Sequence, residues 1–198
     1  MLHGVDVSSY QSTDYPISGQ DFAFVKVTEG MSYTNPRWVA QRDHARRGGL
    51  VVGYYHFVTP GSMSAQANRF LGKIALREGD ILALDWEHTG VPCADKDRWL
   101  AHVRGKAPGH RVVLYCNRDF WFHRDTTADA GDGLWIADPA HPAGKPGVRH
   151  PWTFHQYSIS GGIDRNVARF STRAQLKAWA RRRTGFEETG GEAGRTES

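Results

Sequence analysis

Two rhythms of apolar residues alternate along this chain. Short apolar runs of period two, or with no polar break at all, read as strands. Windows with apolar residues three and four apart read as helices. Gly4-Val5-Asp6-Val7-Ser8 places Val5 and Val7 on one face and Gly4, Asp6 and Ser8 on the other. Residues 21–29 form a second strand stopped by Gly30, and Asn35-Pro36 has the form of an N-cap followed by Pro at the first helical position. Trp38, Val39, Arg42 and Ala45 then recur at helical spacing up to Gly48-Gly49. Residues 50–57 are a strand rich in β-branched and aromatic residues, and Ser62 caps a helix with Ala67, Phe70, Leu71 and Ile74 on one face. A strand from Ile81, a helix over 95–106 and a strand over 111–117 complete the alternation.

After Asn117 the rhythm changes. Short strands at 133–139, 151–158 and from Asp164 have no room for full helices between them, and a last helix is predicted over 172–183. Strand–helix alternation argues for parallel strands with right-handed crossovers. About eight strands and four or five helices make an α/β fold, an irregular TIM-like β/α barrel. It is expected to be mostly parallel, with incomplete helices and a small antiparallel portion, because a full eightfold barrel usually takes ~250 residues. One domain is expected over 1–185, followed by a polar, disordered tail over 186–198.

The chemistry gathers at Ile81-Leu82-Ala83-Leu84-Asp85-Trp86-Glu87-His88. Four apolar residues end in two carboxylates one residue apart, so Asp85 and Glu87 share a face and Trp86 takes the other. Ionising both is unfavourable, which separates them into an acid and an anion, as glycoside hydrolysis requires. In a parallel barrel the active site lies at the C-terminal ends of the strands. Val5 and Val7 facing the helices would turn Asp6 inward, and Asp164 opens the last strand with Asn166 facing the same way. If the barrel closes, the first and last strands are neighbours, and Asp6, Asp85, Glu87 and Asp164 converge on one rim.

Composition narrows the classes. A hydrophobic fraction of 39% with seven Trp marks a folded protein, and no apolar run approaches the ~20 residues of a membrane span. Cys93 and Cys116 are too few for a disulfide scaffold or zinc cage and are expected as free thiols. The formal net charge is +4, and the Glu-rich end beyond Phe186 leaves the rest of the chain more basic still. Such a body suits a polyanionic surface. No Lys/Arg stripe with interleaved aromatics marks a nucleic-acid binder. No His/Asp/Glu set has the spacing of a metal site, so no metal or cofactor is expected.

The ordered set Gly4-Val5-Asp6-Val7-Ser8-Ser9-Tyr10-Gln11, Phe24-Val25-Lys26-Val27-Thr28-Glu29-Gly30, Gly53-Tyr54-Tyr55-His56-Phe57, Leu84-Asp85-Trp86-Glu87, Leu114-Tyr115-Cys116-Asn117, Leu134-Trp135-Ile136-Ala137, His155-Gln156-Tyr157-Ser158 and Ile163-Asp164-Arg165-Asn166 resembles family 25 glycoside hydrolases, the Chalaropsis-type lysozymes. The resemblance covers about residues 4 to 180. It implies an irregular β/α barrel that cleaves the β-1,4 bond between N-acetylmuramic acid and N-acetylglucosamine in peptidoglycan. Carried onto matching positions, Glu87 is the proton donor, with Asp85, Asp6 and Asp164 in the same groove. His155 stands where relatives often have Trp, which puts sugar preference there in question, and Cys116 stands where Thr is common.

Tyr54, Tyr115 and Trp135 are the candidates for sugar contacts, each with core packing as the competing role. Gln156 is the candidate hydrogen-bonding partner of an N-acetyl group or an acid. Lys26 is expected to pair with an acid, and His56 fits a ligand contact or a core histidine equally. The second chemical step is open between a carboxylate nucleophile and attack by the substrate's own N-acetyl group. The competing functions are a chitinase-like hydrolase, with Asp80 as an outer acid of its pattern, and a catalytically inactive glycan-binding barrel. The opening residues lack the basic and apolar regions of a signal peptide. The expectation is therefore a monomer made in the cytoplasm that reaches the wall on release, as a phage endolysin does in host lysis. Anionic wall polymers are a further expected partner.

Overall fold

Strand β1 (Leu2–Val7) has two neighbours that run in opposite directions. β2 (Phe22–Glu29) is parallel to it, and β9 (Asp164–Ala168) is antiparallel to it. That pair of contacts closes the sheet. The computed structural model describes residues 1–182, so the tail expected at 186–198 lies outside the described residues. Between β2 and β9 come β3 (Tyr33–Thr34), α1 (Trp38–Arg47), β4 (Val51–Phe57), α2 (Met63–Lys73), β5 (Ile81–Asp85), α3 (Cys93–Lys106) and β6 (Arg111–Asn117). A π-helical turn at Phe120–Arg124, β7 (Leu134–Ala137) and β8 (Phe154–Ser158) follow, and α4 (Arg173–Ala180) ends the described fold. The order around the barrel is β1-β2-β4-β5-β6-β7-β8-β9, with β3 attached antiparallel to β2. Every pair from β1 to β8 is parallel, and only β9 runs against both its neighbours. The expected irregular, mostly parallel barrel with a small antiparallel portion and incomplete helices is what forms.

The ends of the helices follow side-chain chemistry. Ser62 Oγ accepts from the Ala65 N–H at 3.3 Å, and Thr172 Oγ1 from the Gln175 N–H at 3.2 Å, which satisfies an otherwise free donor at each N-terminus. Asn35 does not cap α1 directly. Its Oδ1 accepts from the Arg37 N–H at 2.9 Å in a turn that contains Pro36, so the helix begins at Trp38. The last helix stops at Ala180, short of the expected 183.

Each strand contributes to two cores. One face packs under the helices, where Val5, Val7, Leu82, Leu84 and Trp86 meet Phe70, Trp99 and Leu100. The other fills the barrel, with Phe22, Phe24, Tyr55, Tyr115, Trp135 and Phe154. Gly4 and Gly53 make this interior possible, since a Cβ on either would sit 2.4 Å from the Phe22 ring or 2.2 Å from the Phe24 ring. α4 plugs the bottom, where its Leu176 and Ala180 join the interior cluster and Trp179 packs edge-on to Phe154. The rim above is left open, and the acids lie there.

Candidate active site

Asp6 is paired in register with Asp164 across β1 and β9, and residues paired across a ladder share a face. Because β9 runs antiparallel, its first residue, not its last, reaches the C-terminal rim of the other strands. Val5 and Val7 pack outward as their alternation requires, so Asp6 points into the barrel. Its Oδ2 accepts from Gln156 Nε2 at 2.9 Å and Asn166 Nδ2 at 2.7 Å. Neither amide can be turned over without loss. Trp135 Nε1 donates to Asn166 Oδ1 at 2.8 Å, and the Tyr115 hydroxyl donates to Gln156 Oε1 at 2.9 Å. Both amides therefore present N–H groups to Asp6. Burial still raises the Asp6 pKa from 3.8 to about 7; the charge of Asp164 adds to this, and the two amide bonds only partly oppose it. The proton that Asp6 carries below that pH belongs on Oδ1, since Oδ2 already receives two donors.

β5 ends at Asp85, and Glu87 follows on the same side. Trp86 turns outward, where its Nε1 donates to the Val91 carbonyl at 2.9 Å and its ring meets Phe120 edge-on. Asp85 is raised well above the ordinary carboxyl range, by burial first and then by the charge of Glu87. Its Oδ1 is buried and has no hydrogen-bond partner among the described residues. Glu87 is raised by burial and by Asp164, while a bond from Asn117 Nδ2 at 3.3 Å works in the opposite direction. Asp164 is raised by burial. The Lys26 ammonium lowers both Asp85 and Glu87 and is tied to Glu29 at 2.6 Å, as the expectation of an acid partner required.

Asp6, Asp85, Glu87 and Asp164 line one narrow cavity of about 110 Å³ together with Tyr55, Tyr115, Trp135 and Gln156. The sequence reading thus brings seven of its eight candidates to one place. Tyr54 is the exception and is corrected. It faces the outer core, its ring lies edge-on to Trp38, and its hydroxyl accepts from Arg46 Nη2 at 2.8 Å. Tyr55 takes the place at the cavity. Trp135 lines the cavity as its packed wall, stacked on Phe24 with ring centroids 4.2 Å apart. His56 is a core histidine, held between Thr28 Oγ1 and Gln66 Oε1, with burial lowering its pKa to about 4. His155 also faces away from the cavity, fixed between the Asp138 carbonyl and the Gly144 N–H, and is not among the residues that line it. Asp80 sits at the opposite end of the barrel, bonded to Arg46, and takes no part in an acidic series on β5. Both cysteines are buried thiols. Among the described residues no three His, Cys, Asp or Glu side chains are arranged to hold a metal ion.

Residues 5–165 match the family description of the glycosyl hydrolases family 25. The chain belongs to that family. It is 32% identical over 203 residues to lysozyme M1 of Streptomyces globisporus, which covers 83% of this chain and 67% of that protein. It is likewise 32% identical over 148 residues to the N,O-diacetylmuramidase of Chalaropsis sp, covering 61% and 68%. The chain spans about two thirds of the length of these relatives. Among solved structures, the muramidase from Acremonium alcalophilum superposes with a TM-score of 0.76 at 26% identity, covering 91% of this chain and 99% of that one. The lysozyme from Streptomyces coelicolor gives 0.75 at 26% identity, with 90% and 96% covered. As a family 25 member the chain is a glycoside hydrolase, and its four acids lie at the strand ends where such a barrel works.

Proposed function

We propose that this protein is an N-acetylmuramidase that cleaves the β-1,4 bond between N-acetylmuramic acid and N-acetylglucosamine in peptidoglycan, with Glu87 as general acid. The observation that carries the reading is Glu87 itself, an acid whose proton affinity is raised by burial and by the charge of Asp164, in a cavity where Asp6 and Asp85 are the more deeply buried acids. The charge of Glu87 raises Asp85, so the two acids titrate as a coupled pair in which ionising one favours keeping the proton on the other. In the free protein burial favours leaving that proton on Asp85. An acetamido N–H donated to the unpartnered Asp85 Oδ1 would stabilise the Asp85 anion and shift the proton to Glu87, where the leaving oxygen needs it. The same contact aligns the acetamido oxygen for attack on C1, which favours substrate assistance over a carboxylate nucleophile. Asp6 and Asp164 complete the groove, and Asp164 holds the Glu87 proton in place through its charge. Lysozymes among the relatives, and a matching Streptococcus phage B30 protein at 25% identity, support action at the bacterial wall, and host lysis by a phage endolysin is the role we favour.

The test is turbidity loss and reducing-end release on purified peptidoglycan, with chitin as control, for the wild type and Glu87→Gln. Loss of a general acid should lower turnover by about 10²–10⁴-fold with the fold intact. Wall binding without reducing-end release by the wild type would favour a glycan-binding barrel. Release from chitin alone would move the substrate to chitin.

A further inference from the structure

At the end of the barrel away from the acids, where β4 and β5 begin and α1 and α4 finish, lies a depression of about 310 Å³. Arg46, Arg77, Lys177 and Arg181 line it, with Glu78 and Asp80 between them. Two of the cations are neutralised locally, Arg46 by Asp80 at 2.8 Å and Arg181 by Glu78 at 3.2 Å. Arg77 gives its backbone N–H to Asp80 Oδ2, but among the described residues neither its guanidinium nor the Lys177 ammonium has a carboxylate partner. Around this depression Arg111 and Arg182 share Asp132, and Arg173 shares Asp21 and the Gly49 and Gln20 carbonyls. Cations therefore outnumber acids at the plugged end, whereas the lining of the cavity at the open end holds four acids and no Lys or Arg.

Helix termini account for part of this, since basic side chains stabilise the negative end of a helix, and Arg46 and Lys177 lie in last turns. Arg181 caps the C-terminus of α4 in the same way, whereas Arg77, on the loop after α2, has no such role. We propose that this basal face docks a phosphate-bearing polyanion of the bacterial wall, gripping it with the barrel's closed end while the acidic mouth faces the glycan. The proposal rests on the muramidase reading for its location. The chemistry of the face favours this partner. Guanidinium groups suit phosphate oxygens, and local neutralisation of two cations leaves two free to bind. The depression is lined by charged side chains, two glycines and the aliphatic Leu50, Val51 and Val52, with no aromatic platform on which a nucleic-acid base would stack.

The measurement is retention on purified walls as a function of salt, with every protein carrying Glu87→Gln so that the walls are not digested. The double variant Arg77→Gln/Lys177→Gln is compared with Lys145→Gln/Arg149→Gln, which removes the same charge from the loop after β7. Binding should fall about tenfold at low ionic strength for the basal pair alone, and its salt dependence should flatten. Walls stripped of phosphate polymers with hydrofluoric acid should hold the protein no better than the basal variant, and inorganic polyphosphate should compete. Equal losses for both pairs, undiminished binding to stripped walls, or competition by duplex DNA stronger than by polyphosphate at matched charge would each overturn the proposal. Hydrolysis of a soluble muropeptide by the Glu87-containing enzyme, with and without the basal substitutions, separates this outcome from a failure of the muramidase assignment. That activity should not change.

Discussion

Replacing Asp6 with Asn should stabilise the protein and inactivate it. Asp6 has a pKa of about 7 in the folded state, against an ordinary value of 3.8. A carboxyl whose folded pKa is raised binds more protons folded than unfolded between those values, so stability falls as pH rises from about 4 to 7. At about 1.4 kcal/mol per pH unit, the gap corresponds to roughly 4 kcal/mol of destabilisation once Asp6 is fully ionised. Asparagine keeps the shape and removes this cost. Its Oδ1 can accept from Gln156 and Asn166 as Asp6 Oδ2 does, and its amide then takes the Oδ1 position that faces the cavity. Urea denaturation of the wild type and Asp6→Asn at pH 4 and pH 8 reads the effect. The variant should be more stable by about 2–4 kcal/mol at pH 8, the lower figure applying if the neighbouring acids relax in the wild type. Near pH 4 the two should agree. A variant that is less stable at both pH values would refute the reasoning, because it would mean that the amide bonds to the Asp6 anion outweigh its burial.

Lys26→Met removes the ammonium that lowers Asp85 and Glu87, so both limbs of the pH profile of kcat/KM should move to higher pH; an unchanged profile would remove Lys26 from the electrostatics of the site. Tyr54→Phe should cost about 1 kcal/mol of stability through the lost bond from Arg46 and leave kcat/KM alone. Tyr55→Phe should do the reverse, lowering kcat/KM about tenfold with little effect on the urea midpoint, which would place its hydroxyl against substrate. Leu176→Ala should open the basal plug at a cost of about 2–5 kcal/mol, read by thermal or urea unfolding, without changing the pH profile.

The acids were legible because each interrupts an apolar pattern that fixes its direction. Val5 and Val7 could only face the helices, so Asp6 could only face in, and Ala83 and Asp85 share the inward face for the same reason. Tyr54 was misread because Val51–Phe57 is buried on both faces, and such a strand has no polar alternation to set its phase. The register decides it: Tyr55 is paired with Ala83 and Phe57 with Asp85, which puts the odd-numbered residues of β4 inside. That register depends on the crossover through α2 and is not written in the strand. The role of Asn117 as a partner of Glu87 was missed for a similar reason. A polar residue at the end of β6 looks like an ordinary strand terminus until β5 is placed beside it. His155 was read as bearing on sugar preference, although alternation argues against it, since Gln156 facing in requires its neighbour to face out.

The antiparallel closing strand also sets when the acid-lined cavity comes into being. Asp6 meets its two amide partners across 150 and 160 residues of chain. A ribosome adding ~5–20 residues per second would leave β1 without its closing neighbour for roughly 8–30 s. During synthesis the parallel strands can form an open sheet, but its two edges remain unpaired, and Asp6 and Asp164 have not been brought together. Contacts of such long range form late and slowly. The acid-lined cavity is therefore among the last parts of the molecule to exist, and a chain cut short before β9 would keep the acids of β1 and β5 without the constellation that gives them their proton affinities.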